Sequence, residues 1–280
     1  MKKRIAAIVM ARNDEFFLSR WIAHYGAQLG KENLYIYLDG LDQVAPANAD
    51  GTNVVIKEKT IVKLKQFEKW RAAFLSDRAA ELFKKNYDLI IGTDSDEFLT
   101  VDPKTGMNLC EYLSSLDIKN TVSGLGLDVG QNITNEKPLD KSKPLLAQRK
   151  YALINSRFTK TNVLTPGNRW GWGFHRVRRR NFHIDANLYL LHFGNADYDA
   201  LIAKYNSADI IARGEQKHFK RARIRVVTDV SQKRAMDFDR IVPIARLVQT
   251  IFRPIYAWNK PSMLEMRWVV KIPKRFAKLV

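Results

Sequence analysis

Cysteine is almost missing from this chain of 280 residues. Cys110 is the single one, so neither a disulfide within the chain nor a cysteine-built metal cluster is available. That usage fits a reducing compartment. Long apolar runs are missing too. No stretch approaches the roughly 20 residues that a membrane-spanning helix needs. The apolar part of "MKKRIAAIVM" is interrupted at once by Arg12, Asn13 and Asp14, with no small-residue cleavage site behind it. A buried first strand is expected there, not a secretion signal. No segment recurs at a period of 20–50 residues, which excludes solenoids and propellers. Acidic residues are few beside basic ones, 29 against 47, and the formal net charge is +18. Most of the excess lies beyond about Lys141. A surface of that sign attracts nucleic acid, an anionic membrane or a phosphorylated substrate, and does not choose among them.

What is present is an ordinary globular composition, 46% hydrophobic, long enough for one large domain with a small appendage. "RIAAIVMA" reads as a buried strand, because it is apolar without alternation. "EFFLSRWIAHYGAQLG" places Phe17, Trp21, His24 and Tyr25 at helical spacing, with Gly30 as the stop. "NLYIYLDG" and "NVVIKEK" read as strands, residues 64–86 as a long amphipathic helix, and "YDLIIGTD" as a fourth buried strand. This succession predicts an open α/β sheet with crossover helices. "VDPKTGMNLCEYLSSL" adds a turn and a short helix, and "TVSGLGLDVG" another strand. From 132 to 187 the pattern loosens, with a strand at "RKYALIN". "ANLYLLHFGNAD" returns to strand and turn, and "DYDALIAKYNSADIIAR" is helical. The division expected is a catalytic domain over 1–230 and a basic, partly helical appendage over 231–280.

Three of these strands end in polar knots: Asn13-Asp14-Glu15, Asp39 with Asp42, and Asp94-x-Asp96-Glu97. In open parallel sheets, ligands bind beyond the carboxyl ends of the strands. Two carboxylates two residues apart supply hard oxygen ligands for Mg²⁺ or Mn²⁺, and such a cation neutralises a departing diphosphate. Acidic residues are also common turn formers, so the short D-x-D pattern gains its weight from the other two strand ends.

With those residues in view, the chain resembles glycosyltransferase family 2-like proteins, whose nucleotide-diphospho-sugar transferase fold is called GT-A. The resemblance rests on "ARNDEFFLSRWIAHY", with Arg12, Asn13, Asp14, Trp21 and His24 in place, and on "DSDEF" at Asp94, Asp96, Glu97 and Phe98. It is specific over residues 5–45 and 87–100, looser around 170–200, and absent over the last 60. The resemblance implies an open mixed sheet flanked by helices. It implies a nucleotide-sugar donor, by default a UDP-sugar, near Arg12, Asn13, Asp14, Asp39 and Asp94. It also implies a Mn²⁺ or Mg²⁺ ion on Asp94 and Asp96 with His192 of "LHFGNADYDA" as third ligand, and it picks out His175 of "GFHRVR". The family has Glu where this chain has Asp14, with Glu15 beside it.

His192 follows an apolar strand and precedes Phe193-Gly194, a strand end where imidazole and carboxylates serve Mn²⁺ together. His24 sits among apolar residues and reads as structural. In "GNRWGWGFHRVRRR" the tryptophans are either a platform for a sugar face beside phosphate-clamping arginines or a loop anchor beside a solvated charge run. An inverting transfer needs a base for the acceptor hydroxyl. Asp128 of "GLGLDVG" is the candidate, because its glycines would let an acceptor approach; Asp140 and Asp185 compete. The expected activity moves a sugar onto a surface glycan or lipid-linked acceptor, in polysaccharide biosynthesis. The expected place is the cytoplasm, with peripheral contact at the inner membrane face.

Residues 252–280 mix Phe252, Ile255, Tyr256, Trp258 and Trp268 with Arg253, Lys260, Arg267, Lys271, Lys274, Arg275 and Lys278, broken by Pro254, Pro261 and Pro273. That composition suits an anionic bilayer surface or a tail wrapped on the domain. Two other readings remain: a metal-dependent nucleotidyltransferase or phosphatase, and a polyanion or nucleic-acid binding protein. Nucleic acid is disfavoured, because the strand-end carboxylates repel phosphates unless a cation intervenes, and no zinc-finger, zipper or RNA-binding pattern is present.

Overall fold

The apolar runs of the first hundred residues form four parallel strands in the computed structural model, which describes residues 2–61, 64–212, 214, 216–252, 258–260 and 266–280. They are β1 (Ile5–Ala11), β2 (Leu34–Asp39), β3 (Asn53–Lys57) and β4 (Leu89–Gly92), lying side by side in the order β4-β1-β2-β3. Parallel neighbours need crossovers, and the two amphipathic helices supply them. Helix α1 (Glu15–Leu29) buries Leu18, Trp21, Ile22 and Tyr25 on one face of the sheet. Helix α2 (Leu64–Lys84) buries Leu75, Ala79 and Leu82 on the other, against Ile8, Ile90 and Trp170. Helix α3 (Leu109–Ser115) closes the α1 side and starts with a capping box between Asn108 and Glu111.

The rest of the sheet is mixed. Strands β5 (Glu97–Val101), β6 (Thr121–Gly130), β7 (Tyr151–Ile154), β8 (Val163–Leu164), β9 (Ile184–Asn195) and β10 (Val269–Lys271) bring it to ten strands among the described residues. A short helix α4 (Leu145–Gln148) precedes β7. Strand β6 runs on past β8, and β9 lies beside it in parallel while pairing β5 antiparallel. The α/β class with an open mixed sheet and flanking helices is therefore present. Sequence reading passed over β5, β8 and β10, since β5 immediately follows the acidic turn, β8 has two residues and β10 three within a tail read as a partly helical appendage.

The chain after β9 is largely helical: α5 (Tyr198–Tyr205), α6 (Ala208–Ala212), α7 (Gln216–Phe219), α8 (Arg225–Gln232) and α9 (Phe238–Ile251). Within the segment expected as an appendage, α9 packs Phe238, Ile241, Val242 and Ala245 into the main core. Strand β10 pairs antiparallel with β7, and Phe276 is fully buried against Tyr189 and Phe238. Arg275 grips both Asp102 and Asp239. Among the described residues, no helix is long and apolar enough to cross a membrane. Arg253, Pro254, Ile255, Tyr256 and Pro261 lie outside the described residues.

Two substitutions test this packing. Phe276→Ala should cost about 3–5 kcal/mol in chemical denaturation, the range of buried phenylalanine truncations. Gly126→Ala should also destabilise, by about 1–3 kcal/mol, because a Cβ there would stand 2.5 Å from Asn155 O and closer still to the backbone of Phe158 and Thr159. Denaturation midpoints equal to wild type in both would contradict the arrangement.

Candidate active site

The site is assembled by strand register. Glu97 of β5 and Asp128 of β6 both stand opposite His192 of β9, so the imidazole sits between two carboxylates in one row across three strands. Asp94 and Asp96 occupy the turn between β4 and β5, directly beside that row. Suitable ligand atoms of Asp94, Asp96 and Glu97 all lie within 4.8 Å of one another. Helix α1 holds this turn from behind. Trp21 Nε1 donates to Thr93 Oγ1 at 2.7 Å, and Leu99 N donates to the Tyr25 hydroxyl at 2.8 Å. The ring of His24 is buried between Leu99 O and Leu279 O, at 3.0 and 3.1 Å, which matches its structural reading.

The carboxylates could not collect there without cations among them. Lys160 reaches Asp94 at 2.9 Å and Glu97 at 2.5 Å, and Arg71 of α2 pairs with both Asp94 and Glu68. Burial opposes ionisation of Asp94, but Arg71 and Lys160 outweigh it and hold its pKa far below the usual carboxylate range. Burial, joined by Asp94 and Asp96, pushes Glu97 up to about 7 against the pull of Lys160. For Asp96 burial again raises the pKa, and His192 with Arg223 reverses it. Neither Arg71 nor Lys160 belongs to any polar knot in the sequence. No local signal marks them, because their role comes from elements 23 and 66 residues away from Asp94.

His192 is enclosed. Phe158 stacks on its ring at 3.8 Å, and its Nδ1 meets Asp128 Oδ1 at 2.7 Å. Asn195 and Asn155 also donate to Asp128, at 2.7 and 3.2 Å. Asp128 is 1% exposed. The glycine-lined approach expected beside it is closed, since the space at Gly126 is taken by the backbone of Phe158 and Thr159. Asp185 accepts from Tyr112, and Asp140 lies in a turn with Ser142 and Lys143. Neither has a polar contact with this cluster.

On its other nitrogen, His192 faces a conflict. Nε2 lies 3.2 Å from Asp96 Oδ2 and 2.8 Å from Arg223 Nη1. A guanidinium only donates and an ionised carboxylate only accepts, so one ring nitrogen cannot answer both. Burial disfavours the charged ring, and the Coulomb pull of Asp96 and Asp128 overrides it, lifting His192 to about 9. Gly194 leaves room at this junction. A Cβ there would stand 2.8 Å from His192 Nε2 and 2.9 Å from Asp96 Oδ2, and closer still to Arg223 Nη1. A divalent cation fits this donor set, because it can satisfy a carboxylate oxygen and an imidazole lone pair together while Asp128 holds the Nδ1–H.

The first strand end lies next to it. Asn13 takes a positive φ of 51°, a turn conformation that asparagine tolerates, and exchanges hydrogen bonds with Gln43. Asp14 caps nothing with its side chain; it accepts from Ser95 inside the D-x-D turn, which ties the ends of β1 and β4 together. Burial raises its pKa. Arg12 makes a two-point pair with Asp42 and donates to Asp39 O. A cavity of about 360 Å³ opens here, lined by Arg12, Asn13, Asp14, Asp42, Gln43 and Val44. The Asp39 side chain does not join it: buried, it holds Lys57 and Thr60 in the turn after β3.

The tryptophan loop divides between its two readings. Trp170 is fully buried, bonded to Thr161 O and laid so close to Gly92 that a Cβ there would come within 2.8 Å of its ring. Trp172 is 53% exposed, and Arg178, Arg179 and Arg180 are exposed to solvent. His175 is driven down to about 3 by burial and then by Lys160 and Lys260.

No protein-family model matches the sequence, and no curated protein does. Among solved structures, the chain is similar to a glycosyltransferase involved in the glycosylation of the major capsid of PBCV-1, at 13% identity and a TM-score of 0.26. That likeness covers 44% of this chain and 50% of the other, so it spans half the length of that relative. The chain is also similar to mannose-1-phosphate geranyltransferase from Thermus thermophilus, at 10% identity and a TM-score of 0.32, over 96% of this chain and 74% of the other. At these scores neither likeness carries an argument about the chemistry, which rests on the geometry above.

Proposed function

We propose that the chain is a glycosyltransferase. It takes a sugar from a nucleotide-diphospho-sugar, by default a UDP-sugar, and places it on a surface-glycan or lipid-linked acceptor. The observation that carries the reading is the convergence of Asp96 and His192 on the opening at Gly194, at the carboxyl end of β4 and beside the Arg12–Val44 cavity. In this reading Asp94, Asp96 and His192 hold Mn²⁺ or Mg²⁺, which supplies the positive charge that a departing nucleoside diphosphate needs. Arg12, Asn13 and Asp14 line the nucleotide cavity, and Asp39 supports it from behind by fixing the turn after β3. Lys160 and Arg71 keep Asp94 ionised. Asp128 acts as a positioning residue: it holds the Nδ1–H of His192, so that Nε2 is the nitrogen that would give up its proton and present a lone pair to a metal. A carboxylate that already accepts from three side chains, and is shut off from solvent, is poorly placed to take an acceptor's proton.

We place the acceptor at an anionic membrane surface. Val269, Val270, Ile272 and Phe276 are turned inward, so lipid contact passes to the outer face of α9. There Ile244, Leu247 and Ile251 are exposed at helical spacing, followed by exposed Phe252 and Trp258. The net charge of +18 complements anionic headgroups.

Asp96→Asn and His192→Ala should each abolish Mn²⁺-dependent binding of UDP in calorimetry with the fold intact by circular dichroism; full binding by either folded variant refutes the ligand set. Asp128→Asn should weaken metal affinity by about 10–100-fold, the usual effect of losing an outer partner of a ligating histidine. Product analysis with UDP-sugars should then find free UDP and a glycosylated acceptor; transfer of the nucleotidyl group would favour the nucleotidyltransferase instead. Finally, the protein should float with anionic vesicles at low salt and Leu247→Glu/Ile251→Glu should not; sedimentation of wild type removes the membrane surface.

A further inference from the structure

We propose that Arg223 is a built-in counter-cation of the Asp96–His192 pair, which it and a divalent cation occupy in turn. The inference rests on the reading of Asp96 and His192 as cation ligands. Arg223 belongs to a five-residue π-helical turn, Lys220–Ile224, that joins α7 to α8. Such turns are rare, and they recur at functional sites. The neighbours of Arg223 in the chain face cavities outside the cluster, Arg221, Ala222 and Arg225 bordering one with Asn155 and Arg157. Lys217, Lys220, Arg221 and Arg225 line an open groove with Ile224 and Thr228. Arg223 lies three, four and seven residues before Val226, Val227 and Val230, the buried stripe of α8, and so shares the inward face. Its guanidinium arrives at His192 Nε2, beside Asp96 Oδ2, in the space that Gly194 leaves clear.

Two constraints make the occupancy exclusive. An imidazole nitrogen has one lone pair, so Nε2 cannot ligate a metal ion while it accepts the Nη1–H of Arg223 or carries a proton toward Asp96. The guanidinium also cannot shed its charge, so it cannot stay in that space as a neutral neighbour of a divalent cation. While Arg223 is in place, Asp96 keeps a positive partner. When a cation enters, Arg223 has to withdraw with its π-turn. The released guanidinium is then available at the edge of the site, where it suits the oxygens of a diphosphate.

The test uses the full chain and Mn²⁺ alone, without nucleotide, read as loss of the free-ion signal in electron paramagnetic resonance. Arg223→Met keeps the stem and removes the charge. It should bind Mn²⁺ about tenfold more tightly than wild type, within the usual range of coupling between two ligands. Independently of any variant, backbone amides of residues 216–232 should exchange hydrogen faster in wild type on addition of Mn²⁺, and should not do so in Asp96→Asn. Equal or weaker Mn²⁺ binding by folded Arg223→Met overturns the inference while leaving the ligand set standing. If that variant does not fold, unchanged exchange in wild type saturated with Mn²⁺ overturns it alone. Absence of Mn²⁺ binding in both proteins removes the inference together with the ligand set.

Discussion

Lys160 threads between Asp94 and Glu97, and the end of the molecule that carries the acidic turn depends on that ion pairing. Three carboxylates follow one another within four residues, and a fourth faces them across β9. Left alone, such a group would either repel itself apart or give up its charges to protons. Lys160 and Arg71 allow a tight acidic turn to exist between two buried strands. Both are nearly enclosed themselves, so removing one partner would strand a buried charge, which is far costlier than losing an exposed pair.

Around this electrostatic knot the packing is specific. Trp21, His24 and Tyr25 of α1 bond to the backbone or side chains of Thr93 and Leu99, on either side of the turn. From the opposite face, Trp170 lies over Gly92, where a side chain would collide with it. The turn is thus clamped between aromatic groups of α1 on one side and Trp170 of the loop after β8 on the other. Phe158 adds a third clamp by stacking on His192, and it comes from the same short segment that delivers Lys160. Binding groups held this way need little reorganisation when charge arrives.

The C-terminal region has two physical characters. Its inward residues, Phe238, Val270 and Phe276, complete the core beneath β9. Its outward Ile244, Leu247 and Ile251 on α9 are apolar and exposed, in a protein whose surface is otherwise rich in lysine and arginine. Composition alone could not separate the two, because both use the same aromatic and basic alphabet. The burial of each side chain separates them.

Much of the framework was legible from periodicity. The continuous apolar runs of β1, β2 and β4 become parallel strands because both of their faces are covered, and the 3.6-residue stripes of α1 and α2 become the covers. The position of Asp94 and Asp96 at a strand end could be read in the same way, since buried strands must release their charged residues at the rim. The burial of Asp39, the closed environment of Asp128 and the cations Arg71, Lys160 and Arg223 could not be read. Each depends on which distant segment lies opposite, and a one-residue change of register between β6 and β9 would send Asp128 to the other face of the sheet. The sequence by itself determined the four parallel strands, the crossover helices and the acidic turn, because those follow from local hydrophobic pattern. The tertiary structure alone decided which charges meet there, because ion pairing acts through space between residues the chain keeps far apart.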